Sequence, residues 1–271
     1  MGIGTERVVN YKNMDSGLKI TVLGSGTSQG VPVIACDCHV CTSSDKKDNR
    51  LRSSILVSYN NENFVVDAGP DFRYQMLRAK VKSLRAVLFT HEHKDHIAGL
   101  DDVRAFNFKE ERDMEIYCSN SVKTALHREF HYVFSKDKYP GIPSLHINEI
   151  GLTTFELPGG LEVQPIEVMH YKMSVLGFRF KNFTYITDAK TISPQEIEKI
   201  RGTEVLIVNA LRLEEHISHF NLKEALQLIE EVKPKRAYLT HISHLFGTHD
   251  SISTLLPPNV FVAFDGLEIC L

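Results

Sequence analysis

The stretch His91-Glu92-His93-Lys94-Asp95-His96 follows the apolar run Leu84–Thr90 and carries four side chains that bind metal ions. On an extended segment side chains alternate with period two, so His91 and His93 point the same way and can hold one ion. The chain then turns toward a helix, which displaces Asp95 and His96 from the first pair. This displacement suits a second ion at the ~3.5–4 Å spacing of two-metal hydrolases. The stretch therefore predicts a site for two adjacent metal ions.

Two other interpretations of this stretch are weaker. A helical HExxH zinc site needs histidines at i and i+4 with a glutamate between them, and the spacing here differs. A solvated polar loop could hold a single histidine, but three histidines and an aspartate within six residues favour metal binding.

Three further apolar runs end on side chains that can bind metal. Glu162–Met169 precedes His170, Phe183–Thr187 precedes Asp188, and Arg236–Thr240 precedes His241. If these runs are strands of one sheet system, the three side chains converge on one rim, where the loops of α/β proteins carry function. Other predicted elements are the strands Leu18–Leu23, Ser54–Ser58 and Phe64–Asp67 and the helices Ser193–Arg201 and Asn221–Val232.

Length and charge favour one domain that acts on a small substrate. The chain has 271 residues, and no linker or repeat divides it, so we expect a flexible N-terminal arm over residues 1–17 and a single domain over residues 18–271. Lys and Arg total 31 against 34 Asp and Glu, so no broad basic surface for a nucleic acid polymer is expected. No apolar run reaches the ~18 residues that cross a bilayer, and no secretion signal is evident, so we expect a cytoplasmic protein without membrane contact.

Three of the five cysteines lie within six residues, as Cys36, Cys38 and Cys41. In a chain without a secretion signal, this clustering favours a structural zinc site over disulfides, with a fourth ligand from elsewhere. His39 is closely constrained by its neighbours, and His244 and His249 are the distant candidates. Three buried, small apolar side chains are the alternative interpretation.

HEHKDH and the three strand-end residues together resemble the metallo-β-lactamase superfamily, over Leu18 to Leu271. The resemblance implies an α/β fold of the αββα four-layer sandwich type with two catalytic divalent metal ions. It assigns His91, His93 and His170 to one ion, Asp95, His96 and His241 to the other, and Asp188 to a bridge between them. Asp67 matches an aspartate that orients a histidine ligand. On the residues alone, a turn aspartate before Gly69-Pro70 is an equally good interpretation of Asp67.

Four segments narrow the resemblance: Gly24–Pro32, the cysteine cluster, Leu239–His244 and Phe264–Glu268. Together they resemble the phosphoribosyl cyclic phosphodiesterases of phosphonate breakdown. That resemblance implies His244 as the fourth ligand of the structural zinc, His219 as the general acid, and manganese in catalysis, although the ligand types also accept zinc. Asn221 stands where the family pattern has an aspartate, which leaves the support of His219 open.

These features predict a metal-dependent phosphoric diester hydrolase. The expected substrate is a small cyclic phosphodiester, either phosphoribosyl 1,2-cyclic phosphate or a 2′,3′-cyclic nucleotide, and a homodimer is expected. Alternatives are a tRNA 3′-processing nuclease, a thioester or β-lactam hydrolase, and a non-hydrolytic relative of the pyrroloquinoline-quinone biosynthesis B protein. A basic RNA-gripping arm would indicate the first, and altered metal ligands would indicate the last.

Overall fold

The computed structural model describes residues 17–137 and 139–271. The expected N-terminal arm lies outside these residues except for Gly17. In chain order the strands are β1 (Lys19–Gly24), β2 (Ser54–Tyr59), β3 (Glu62–Val66), β4 (Ala86–Leu88), β5 (Met114–Cys118), β6 (Leu145–Glu149), β7 (Phe155–Leu157), β8 (Leu161–His170), β9 (Met173–Phe180), β10 (Phe183–Ile186), β11 (Thr191–Ile192), β12 (Val205–Asn209), β13 (Arg236–Thr240), β14 (Val260–Val262) and β15 (Glu268–Cys270). The α-helices are α1 (Phe72–Arg78), α2 (Lys94–Ile97), α3 (Arg104–Glu110), α4 (Asn120–Glu129), α5 (His131–Phe134), α6 (Pro194–Ile200), α7 (Leu222–Val232) and α8 (His249–Ser253).

The strands form two sheets. The first has the order β15-β1-β2-β3-β4-β5-β6, and the second has the order β11-β8-β9-β10-β12-β13-β14 with β7 paired to β8. Strands β3 to β6 run parallel to one another, as do β10, β12, β13 and β14. Parallel neighbours end at the same edge of a sheet, so the loops that follow these strands are brought together.

The buried apolar residues form three clusters, because successive side chains of a strand point to opposite faces of its sheet. On β3, Phe64 and Val66 point into the cluster between the two sheets, whereas Val65 packs outward with residues of α1, α3 and α4. On β12, Val205 and Ile207 point inward, and the alternate residues pack outward under α6 and α7. Since a strand exposes successive side chains to opposite faces, each sheet is covered on both sides. The layers are helix, sheet, sheet and helix, which confirms the αββα sandwich.

Both helices predicted from sequence begin where their capping residues indicate. Ser193 accepts a hydrogen bond from the Glu196 N–H, and Asn221 forms a capping box with Glu224. The strand predicted over Leu84–Thr90 is shorter, because regular pairing with β3 ends at Leu88. Among the described residues, no helix has the length and apolar character that crossing a bilayer requires.

Two glycines allow the turn after β3 to touch the segment that carries Asp95 and His96. A β-carbon added at Gly69 would lie 1.9 Å from the Asp95 carbonyl oxygen, and one at Gly99 would lie 2.0 Å from the Gly69 carbonyl oxygen. Both distances are far below van der Waals contact with backbone atoms that cannot rotate away. The close approach therefore fixes where α2 sits against the end of β3.

We predict that Gly69→Ala destabilises the protein by about 1–3 kcal/mol, because the new methyl group forces these two backbone segments apart. It should also weaken metal binding, since Asp95 and His96 move with the displaced backbone. Thermal unfolding and bound-metal analysis are the measurements, with Gly151→Ala as the control because no atom lies within 4 Å of a β-carbon there. Equal stability and metal content in the two variants would contradict the prediction.

Candidate metal centre

Three of the predicted site residues end strands in the left-handed backbone conformation. The φ angles are 67° at Asp67, 55° at Asp188 and 58° at His241. This conformation costs a residue with a β-carbon about 1–2 kcal/mol relative to the right-handed one. Such strain persists where the surrounding structure over-determines it, and it is concentrated at functional sites.

His91, His93 and His170 meet on one side of the site. His91 Nε2 lies 3.0 Å from His93 Nδ1. The ring of His170 lies 5.2 Å from that of His93 and 5.9 Å from that of His91, measured between centroids. His91 comes from the loop after β4 and His170 from the end of β8, so this group joins the two sheets.

Asp95, His96 and His241 meet on the other side, and Asp188 lies between the two groups. The donor atoms of Asp95, His96 and His241 all lie within 4.8 Å of one another. Asp188 Oδ2 is 3.3 Å from His96 Nε2, and Asp188 Oδ1 is 3.2 Å from His241 Nε2. A donor atom of Asp188 also lies within 4.8 Å of those of His91 and of His170. The structure therefore brings all seven of these residues together.

Hydrogen bonds to Nδ1 orient three of the imidazole rings, so that their Nε2 atoms point toward the other donor atoms of the site. His96 Nδ1 lies 2.7 Å from Asp67 Oδ2, and His91 Nδ1 lies 3.0 Å from Thr90 Oγ1. His170 Nδ1 donates to the Ser218 carbonyl oxygen at 2.8 Å. Such partners fix the ring orientation and the tautomer of metal-binding histidines.

Asp67 and Thr90 form one buried unit beneath the histidines. Asp67 accepts hydrogen bonds from the Thr90 N–H at 2.9 Å and from its hydroxyl at 2.9 and 3.1 Å. Asp67 is thus more than a turn residue. The sequence pattern alone did not indicate a role for Thr90, although this residue lies directly before His91.

The electrostatics of the site favour positive charge. Burial alone would lower the pKa of His96, but the carboxylates of Asp67 and Asp188 outweigh it and hold that pKa well above its usual value. Burial alone would raise the pKa of Asp188, but His241 and His96 outweigh it and hold that pKa well below its usual value. The same carboxylates would attract a divalent cation.

Several buried nitrogen atoms in the site lack a hydrogen-bond partner among the described residues: His96 Nε2, His219 Nδ1 and both ring nitrogens of His241. Buried polar atoms are rarely left unpaired, because each costs free energy. A cluster of imidazole nitrogens and carboxylate oxygens is a suitable donor set for divalent zinc, manganese or iron. The residues therefore fit a metal centre.

The sequence profile of the beta-lactamase superfamily domain matches residues 62–242, the part of the chain that carries all seven of these residues. The chain belongs to the metallo-β-lactamase superfamily. Proteins of this fold bind divalent metal ions, in agreement with the donor set described above.

The chain is similar to two proteins of known structure and to one protein compared by sequence. A diphosphatase of the PhnP family has a TM-score of 0.88 and 36% identity, covering 94% of this chain and 97% of that one. The octanoyltransferase of Porphyromonas gingivalis is 37% identical over 93% of this chain, which spans only 51% of that protein. Zinc-bound PqqB from Methylobacterium extorquens has a TM-score of 0.78 over 93% of this chain and all of its own, and its 19% identity shows the fold alone.

His219 lies at the boundary of the metal centre. Its ring is 4.5 Å from that of His170 and 4.7 Å from that of His241, and its Nδ1 is 3.7 Å from Asp188 Oδ1. Burial, and then the charge of His241, lower the pKa of His219 to about 2.

Asn221 and His216 lie close to His219 in the chain, and the structure shows what each side chain contacts. Asn221 caps α7 by accepting the Glu224 N–H at 2.9 Å, so its side chain serves the helix. Asparagine and aspartate cap helices about equally well, and the replacement preserves this function. His216 is half-buried, and its ring centroid lies 5.1 Å from that of His219.

The cysteine cluster meets His244. His244 Nδ1 lies 3.2 Å from Cys36 Sγ and 3.5 Å from both Cys38 Sγ and Cys41 Sγ. Zinc bonds of ~2.3 Å to sulfur and ~2.1 Å to nitrogen place tetrahedral donors at about this spacing. None of the three cysteines forms a disulfide. His249, the other distant candidate, instead has its ring against Phe264, 5.7 Å between centroids.

The loop after β1 braces the segment between His241 and His244. The Ile242 N–H donates to the Ser25 carbonyl oxygen at 2.9 Å, and the Thr27 N–H donates to the Ile242 carbonyl oxygen at 3.0 Å. Asp265 accepts hydrogen bonds from both the N–H and the hydroxyl of Ser25. One short segment thus joins the metal centre, the glycine-rich loop and the cysteine cluster.

We predict that His244→Ala removes one zinc ion per chain and lowers the melting temperature, because three thiolates without the imidazole cannot complete a tetrahedral site. Bound-metal analysis and thermal unfolding are the measurements. His249→Ala is the matched control, since its ring is outside the cluster, and it should retain the zinc. Equal zinc content in the two variants would rule out His244 as a ligand.

Proposed function

We propose that the protein is a dinuclear metal-dependent hydrolase of a small phosphodiester, with a cyclic phosphodiester as the preferred substrate. The observation that carries the proposal is the position of Asp188. Its carboxylate reaches both groups of ligands: a donor atom lies within 4.8 Å of those of His91 and of His170 in one group. In the other group, its oxygens lie 3.3 Å from His96 Nε2 and 3.2 Å from His241 Nε2. A carboxylate with this arrangement is suited to bridge two cations.

The proposed ligands form two groups. His91, His93 and His170 would hold one divalent ion, Asp95, His96 and His241 would hold the other, and Asp188 would be shared between them. Manganese and zinc both suit these donors, while the three thiolates with His244 suit structural zinc. Two divalent ions supply the Lewis acidity that activates water near neutral pH and offsets charge on phosphoryl oxygens.

The protein's own residues position the reacting groups. Asp67 and Thr90 hold the rings of His96 and His91, so that their Nε2 atoms point to the centre. His219 Nδ1 is turned toward Asp188, so a protonated His219 would present its Nε2–H to the departing oxygen. In a cyclic phosphodiester that oxygen stays attached to the product, so one protonation completes ring opening.

Support for the substrate class comes from one solved relative. The solved relative at 36% identity is described as a diphosphatase of the PhnP family, whose substrates also contain phosphoryl groups. A bond between two phosphates is therefore the second candidate, because the same two-metal chemistry cleaves it. The octanoyltransferase name carries less weight, since the chain spans about half of that protein.

The direct test is hydrolysis by the purified protein loaded with manganese or with zinc. The substrates are a 2′,3′-cyclic nucleotide, phosphoribosyl 1,2-cyclic phosphate, a nucleoside diphosphate and a precursor tRNA. We expect ring opening of a cyclic phosphodiester to a phosphomonoester, and loss of this activity in Asp188→Ala, which controls for contaminating phosphatases. Cleavage of the precursor tRNA alone would identify a nuclease and overturn the proposal.

His219→Ala should reduce turnover by ~10²–10⁴-fold and leave the metal content unchanged, because the departing oxygen loses its proton donor. His216→Ala is the matched control in the same loop and should have a much smaller effect. Turnover and bound metal are measured together for both variants. Loss of metal in His219→Ala would make His219 a ligand rather than the acid.

A further inference from the structure

Tyr171 occupies a turn position that ordinarily favours glycine or asparagine. His170 pairs with Met173 across β8 and β9, so Tyr171 and Lys172 form a two-residue hairpin turn. The φ angle of Tyr171 is 56°, in the left-handed region. For a bulky side chain this conformation is a genuine outlier, because the β-carbon crowds the backbone.

Two other hairpins in the described parts of the chain also use left-handed residues. The hairpin between β2 and β3 uses Asn60 and Asn61, which tolerate this conformation. The hairpin between β9 and β10 has Lys181 at the equivalent position, with φ 54°. This hairpin lies at the end of β9 opposite to His170. Tyr171 combines the strained conformation with a place beside the metal centre.

The side chain of Tyr171 is available to a ligand. Tyr171 is 55% exposed and directly follows His170, a half-buried residue whose ring centroid lies 4.5 Å from that of His219. Lys172 Nζ lies 5.3 Å from the centroid of the Tyr171 ring, so the ammonium group covers one face. A flat ligand group can then stack on the other face.

We propose that Tyr171 is a specificity-determining residue that stacks on the base of a nucleotide substrate. The inference rests on the proposed function and narrows it to 2′,3′-cyclic nucleotides, in which the base and the reacting phosphate share one ribose. In the proposed complex the phosphate lies at the metal centre and the base lies against the ring of Tyr171, which is one residue from His170 at the end of β8. Stacking on an aromatic side chain is tolerant of base identity, so the structure assigns a class and no single nucleotide.

The test compares Tyr171→Gly and Tyr171→Phe with the wild-type protein, on 2′,3′-cyclic AMP and on glycerol 1,2-cyclic phosphate, which has no base. Tyr171→Gly should raise KM for 2′,3′-cyclic AMP about 10-fold while kcat changes little. The ratio of kcat/KM between the two substrates should fall by a similar factor. Tyr171→Phe keeps the ring and should keep the ratio.

Lys181→Gly is the matched control, because it relieves the same backbone conformation in an exposed hairpin at the opposite end of β9. Tyr171→Gly should melt at or above the wild-type temperature, which separates a lost contact from a folding defect. Lys181→Gly also loses the hydrogen bond from Lys181 Nζ to the Tyr59 hydroxyl and should melt slightly lower. Only Tyr171→Gly should change the substrate ratio. An equal change in both glycine variants, or no change in either, would overturn the stacking role.

Calorimetric binding of adenosine 3′-phosphate separates failure of this inference from failure of the proposed function. Wild-type binding that weakens about 10-fold in Tyr171→Gly supports base stacking even where neither cyclic phosphate is hydrolysed. Hydrolysis of both cyclic phosphates with unchanged nucleotide binding in Tyr171→Gly leaves the proposed function intact and rejects the role of Tyr171.

Discussion

The buried carboxylate of Asp188 is the interaction on which the rest of the site depends. The residue is 2% exposed, and an ionised carboxylate at that depth is stable only beside positive or hydrogen-bonding partners. Its partners come from both sheets, since His96 follows β4 of the first sheet and His241 ends β13 of the second. The charge therefore ties the two halves of the sandwich together at the edge where the metal centre lies.

Backbone strain and close packing reinforce this arrangement. Asp67, Asp188 and His241 all leave their strands in the left-handed conformation, which turns the chain sharply at the edge of each sheet. Gly69 and Gly99 let the turn after β3 lie against the segment of Asp95 and His96. The free-energy cost of the left-handed residues is offset by packing of the apolar sandwich, because its buried strands permit few other backbone conformations.

The cysteine cluster and the metal centre are mechanically connected through Ile242. This residue is bonded to the loop after β1 on both its N–H and its carbonyl group, and it lies next to His241 and two residues before His244. A zinc ion on the thiolates would hold the far end of the segment. The glycine-rich loop and Asp265 thus act as a brace for His241, which explains why these sequence segments occur together.

The sequence by itself determined the helix caps at Ser193 and Asn221 and the clustering of His91, His93, Asp95 and His96, whereas the layer architecture came from the family resemblance. These features depend on local periodicity and spacing, which any stretch of chain carries without its neighbours. Resemblance to a known family supplied Asp67, His219 and His244 as site residues. Only the tertiary structure decided that Thr90 links Asp67 to His91, that His216 lies beside His219, and that Asn221 serves the helix. It also decided that Tyr171 adopts a left-handed turn beside His170. Those facts are contacts and backbone angles set by packing between distant segments, and no local pattern encodes them.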